Sequence, residues 1–93
     1  MPFISPALPL EAVIAAAVAL DEALAHPHFP QARHHLRVLA LRATAADCDE
    51  VARQALSLLY VLNQTIWPAK STWEHRLEHL HRAIDHALDV SVG

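Results

Sequence analysis

The chain reads as an all-α protein, a four-helix and mostly antiparallel up-down bundle that self-associates as a dimer. Three observations predict this. The only glycine, Gly93, stands at the end of the sequence, so the Asn-Gly and Gly-rich pairs that tight hairpins require are missing. The hydrophobic fraction is 54%, carried mostly by Ala and Leu, which favour helices, rather than by the β-branched and aromatic residues that strands favour. Finally, prolines and acidic turn residues divide the chain into four stretches of helical periodicity.

Helix 1 is expected over about residues 9–25. Pro9 suits a first helical position, where its missing N–H has no partner to lose. Leu10, Val13, Ile14, Ala17, Leu20 and Leu24 share one face, while Ala12, Ala16, Ala19 and Ala23 form a seam of small residues opposite. Small residues at that spacing let two helices approach closely. The segment His26-Pro27-His28-Phe29-Pro30 reads as a stiff connector. Helix 2 follows over about 31–43, with Ala32, Leu36, Leu39, Ala40 and Ala43 on its stripe and Val38 and Leu41 off it.

Helix 3 is expected over about 47–66. Thr44, three residues before Asp47, and Asp47, three before Glu50, both read as N-caps. Asp47, Asp49 and Glu50 then stand at the positive end of the helix dipole. The main stripe is Val51, Ala55, Leu58, Leu59, Leu62 and Ile66; Leu56, Tyr60 and Trp67 lie behind it. Pro68 ends the helix. Ser71 with Glu74 reads as a capping box opening helix 4 over about 72–89, whose stripe is Trp73, Leu77, Leu80, Ile84 and Leu88. The whole of residues 1–93 reads as one helical domain, the size range of a single small domain.

Helix 4 is one-faced, as a bundle helix should be. Helices 1 and 3 are apolar nearly all round, whereas a surface helix needs a polar stripe. A chain this short buries only about 60–65% of its unfolded surface. Leaving Leu56, Tyr60 and Trp67 in water forgoes about 1.5–3 kcal/mol each. The expected interface is therefore Leu56, Tyr60 and Trp67 with the seam Ala12, Ala16, Ala19 and Ala23. The partner is a second copy, or another protein.

Candidate chemistry is sparse. The net charge of −3 argues against a polyanion binder. Helices 2 and 3 could be read as a helix-turn-helix, but Asp47, Asp49 and Glu50 at the start of helix 3 would meet phosphate with the wrong sign. Arg33, Arg37 and Arg42 spread around helix 2 rather than forming one stripe, so no nucleic-acid partner is expected. No uncharged stretch approaches the ~20 residues of a membrane span. The N-terminus has no basic residue before its apolar part, unlike a secretory signal. Cys48 is the only cysteine, which excludes an internal disulfide. The expected location is the cytoplasm.

The chain is histidine-rich, with eight: His26, His28, His34, His35, His75, His79, His81 and His86. His75, His79 and His86 fall within about 40° of one another on helix 4, at about 100° per residue. His75 and His79, one turn apart, are the candidate metal ligands. Further donors would have to come from the His26–His35 cluster or a second chain, since a structural zinc site wants four. Residues 75–79, His-Arg-Leu-Glu-His, match the H-x-x-E-H pattern of inverted zincin metalloproteases. The match covers five residues and lacks the downstream third ligand, so it does not make the chain an enzyme. Asp21, on the apolar side of helix 1, reads either as a frayed-end position or as the partner of an arginine or histidine across the bundle, with Arg33 and His35 as candidates. The dipole at the start of helix 3 would lower the pKa of Cys48 and its acidic neighbours oppose that, so Cys48 reads as a plain small residue.

The functional expectation is a non-catalytic, self-associating adaptor, inhibitor or accessory regulator without a cofactor. Two alternatives stand beside it. One is a histidine-based sensor of metal or pH. The other is a small-molecule binder with a site lined by Tyr60, Trp67 and Trp73.

Overall fold

The computed structural model describes residues 7–26, 28–64 and 69–92. They form four helices, α1 (Ala7–Ala25), α2 (Phe29–Ala45), α3 (Asp49–Asn63) and α4 (Lys70–Val92), with no strand among them. The body measures 48 × 24 × 18 Å. α1 packs on α2, α2 on α3 and α3 on α4. Trp67, Ile66 and Pro68, assigned to the end of helix 3 and its stop, lie outside the described residues.

The expected helices are present, but their ends have moved. α2 starts two residues earlier than expected, at Phe29, because Pro30 is accommodated inside its first turn. At its other end α2 runs on to Ala45. There the Cys48 N–H donates to the Ala43 carbonyl at 2.8 Å, and the Asp47 N–H donates to that of Thr44 at 3.1 Å. These bonds, with Asp47 at φ 60°, make a Schellman C-cap, in which the residue after the cap turns left-handed. Glycine normally takes that position. This chain has none nearby, and aspartate is among the residues that tolerate it best.

The expected N-caps of helix 3 are therefore corrected. Asp47 closes α2 rather than opening α3. Thr44 sits inside α2, its Oγ1 donating back to the Ala40 carbonyl at 2.9 Å. Cys48 holds the N-cap position without a side-chain cap bond. Asp49 and Glu50 do occupy the first turn of α3, where the dipole favours them. The expected capping box at Ser71 also gives way. The Ala69 carbonyl accepts from the Trp73 N–H at 3.3 Å, so α4 begins before Ser71.

The core draws on all four helices. Leu20, Leu36, Leu39, Leu58, Leu62 and Leu80 are its largest fully buried side chains. On α2 the whole expected stripe is buried, and on α4 Trp73, Leu80 and Ile84 are, with Leu77 and Leu88 half-buried. Trp73 packs edge-on against Phe29, ring centres 6.5 Å apart. On α1 the expected face is buried at Val13, Ala17, Leu20 and Leu24, and the departures lie in the alanine seam and Ile14. Ala16 and Ala23, placed on a partner-facing seam, lie in the core, and Ala12 and Ala19 are half-buried, while Ile14 is turned outward.

Candidate functional site

Two outward faces and two clefts among the described residues bear on the expected sites, while Val18, Leu41 and Val90 are further exposed apolar side chains. The first face is the back of α3. Val51, Ala55, Leu58 and Leu62 are drawn into the core, which sends the positions halfway round the helix into water. Leu56 is 54% exposed and Tyr60 67%. They stand one turn apart, so their side chains are neighbours on the helix surface. Of the seven residues expected at an interface, these two are the ones the structure places in solvent. Ala16 and Ala23 are taken by the core, Ala12 and Ala19 are partly covered, and Trp67 lies outside the described residues.

The second face is the back of α4. Burial of Trp73, Leu80 and Ile84 leaves His75 and His79 exposed. Their rings meet edge to face with centres 4.7 Å apart, and the two Nε2 atoms are 3.2 Å apart. On either side of the pair, ion pairs one turn long tie up the charged residues: Lys70 with Glu74 at 3.8 Å and Arg82 with Glu78 at 3.1 Å. Glu78 of the H-x-x-E-H pattern is thus engaged by Arg82. Among the described residues no group of three His, Cys, Asp or Glu could hold a metal ion. The His26–His35 cluster expected to complete a site does not come to His75 and His79.

Asp21 pairs with a histidine across the bundle, though neither with Arg33 nor with His35. His81 Nε2 donates to Asp21 Oδ1 at 2.8 Å, linking α4 to α1 with both side chains nearly half exposed. Of the candidates, Arg33 is engaged elsewhere: its Nη1 donates to the Leu62 carbonyl at 3.3 Å, tying α2 to α3. Arg76 Nη1 donates to Ser57 Oγ at 3.0 Å, tying α4 to α3.

A cleft of about 500 Å³ is lined by Leu10, Cys48, Val51, His86 and Val90, among others. The Cys48 thiol donates weakly to the Ala46 carbonyl at 3.6 Å. Partial burial pushes its pKa up, and the adjacent Asp47 and Asp49 charges push the same way. Burial first, and the acids with it, hold the thiol protonated, which leaves a poor nucleophile. A second cleft of about 320 Å³ lies beside Asp21, Leu24, Trp73, Leu77 and His81. Tyr60 lines neither cleft. Of the aromatic site expected from Tyr60, Trp67 and Trp73, Tyr60 faces solvent, Trp73 is buried against Phe29, and Trp67 lies outside the described residues.

No helix among the described residues is long and apolar enough to cross a membrane. Compared with known proteins, the chain matches no family model, no curated protein and no solved structure.

Proposed function

We propose that this chain is a non-catalytic protein–protein interaction module, an adaptor, inhibitor or accessory regulator, whose four helices run alternately up and down and which pairs with a second copy through the back of α3. The observation that carries the reading is the exposure of Leu56 and Tyr60 side by side, at 54% and 67%. Exposed apolar residues that adjoin one another mark contact surfaces more often than scattered ones do, and tyrosine is enriched where contact surfaces bind most strongly. A two-fold pairing brings the same patch of each copy together, so one helix face can supply both sides. The up-down course is supported by Arg33, near the start of α2, reaching the carbonyl of Leu62, near the end of α3. Short connections favour the same course. A cytoplasmic setting suits a chain whose one thiol has no internal partner.

Molar mass in solution tests this. Sedimentation equilibrium of the wild type at high micromolar concentration should give a dimer, and Tyr60→Glu should give a monomer of unchanged helicity. A wild type that stays monomeric overturns the reading.

A further inference from the structure

The back of α4 carries a second feature, independent of self-association. Two donors about 2.0–2.1 Å from one tetrahedral ion stand about 3.3–3.4 Å from each other. The Nε2 atoms of His75 and His79 share a hydrogen bond at 3.2 Å, so their spacing matches the bite of a chelate, and the proton between them leaves when an ion takes its place. One helical turn sets the spacing, and the rings are held edge to face at an interplanar angle of 74°. Both residues are exposed, which gives an ion direct access. The flanking acids are engaged by Lys70 and Arg82, and the donor set is all imidazole, which suits zinc, copper and nickel rather than calcium or magnesium.

We propose that His75 and His79 form a two-imidazole clamp for a zinc-class divalent ion, one ion per chain. No third His, Cys, Asp or Glu joins them among the described residues, so water completes the coordination shell. The ion is consequently held in an open, exchangeable site, unlike the closed four-ligand sites that stabilise folds. His86 shares the same face but lies about two further turns along α4, at 1.5 Å per residue, too far to reach that ion.

The test uses full-length protein without an affinity tag and zinc chloride in competition with a fluorescent chelator. The wild type should bind one zinc per chain. His75→Gln and His79→Gln should each weaken binding by about tenfold or more, at least the effect of losing an outer-shell partner. His86→Gln should bind as the wild type does. Ring-proton NMR should show the His75 and His79 resonances responding first. Glutamine is a good helix former and both positions are exposed, so an unchanged circular dichroism spectrum confirms that the variants remain folded. Tyr60→Glu should retain zinc binding whether or not it dissociates a dimer, which separates this site from the α3 surface. Zinc affinity unchanged in the double variant His75→Gln/His79→Gln overturns the proposal, as does one zinc per two chains with a doubling of mass.

Discussion

α1 and α3 look alike on paper and behave differently in the fold. Each is apolar on nearly every side. In α1 much of the surplus is alanine, and the helix settles with Ala16 and Ala23 in the core while Ile14 and Val18 are left 37% and 51% exposed. In α3 the surplus is Leu56 and Tyr60, and both stay in water. The difference is one of size and angle. A methyl group beside a helix contact can be absorbed by closer approach, since the axial separation follows the side chains at the contact. A leucine or tyrosine opposite the buried stripe cannot be absorbed without turning the stripe itself outward. Excess apolar surface is therefore informative when it is bulky and diametrically opposed to the core, and much less so when it is alanine.

The largest test of this contrast lies within α3. Leu58→Ala should cost about 2–5 kcal/mol, the range for a fully buried leucine, in urea unfolding monitored by circular dichroism. Leu56→Ala, two residues away, should change the stability of dilute protein by no more than about 0.5 kcal/mol, as exposed substitutions do. Equal losses would mean that Leu56 is packed within the chain. On α1, Ala16→Leu should destabilise by about 1–3 kcal/mol through overpacking. A neutral result would return the alanine seam to the surface. Thermal melts are enough to read it.

Smaller effects concern the connections. Asp47→Gly should raise stability by about 0.5–1 kcal/mol, because it relieves a left-handed residue at the α2 cap. A loss instead would mean that the aspartate side chain matters more than its backbone angle. Asp21→Asn or His81→Gln should cost less than about 1 kcal/mol, as half-exposed ion pairs do, with the two effects failing to add in a double-variant cycle. Cys48 should alkylate with iodoacetamide at pH 8 more slowly than free cysteine, and Asp49→Asn should speed it up. Glu50 gives the faintest signal. A hydrogen bond from Gln54 and the neighbouring Arg53 hold its carboxyl below the ordinary range. The stability it lends is present above the unfolded carboxylate pKa and is lost as pH falls through the lower folded value. Gln54→Ala should therefore reduce the difference in urea midpoint between neutral and acid pH.

The leucine stripes of α2 and α4 were legible because a large residue every three or four positions has a clear direction around a helix. Alanine has none, so although Val13, Ala17, Leu20 and Leu24 of α1 are buried as expected, the depth of its Ala16 and Ala23 was not legible. Thr44, Asp47 and Ser71 have the right chemistry for N-caps, yet the choice between closing one helix and opening the next depends on a backbone angle that composition does not encode. That Asp21 could meet a histidine was legible, but that the histidine is His81 was not. The pair spans sixty positions in the chain, and it exists only because α4 returns beside α1. Leu56, Tyr60, His75 and His79 were legible as exposed residues, since each follows directly from which stripe is buried.

The order of helix packing carries a kinetic consequence. Every extensive helix–helix contact joins elements adjacent in the chain, so each docking step closes only a short loop. Such local topologies fold on the order of microseconds to milliseconds. Assembly can begin at any hairpin and spread to its neighbour. The more distant ties, Phe29 with Trp73 between α2 and α4 and Asp21 with His81 between α1 and α4, close the longest loops and are expected to form late.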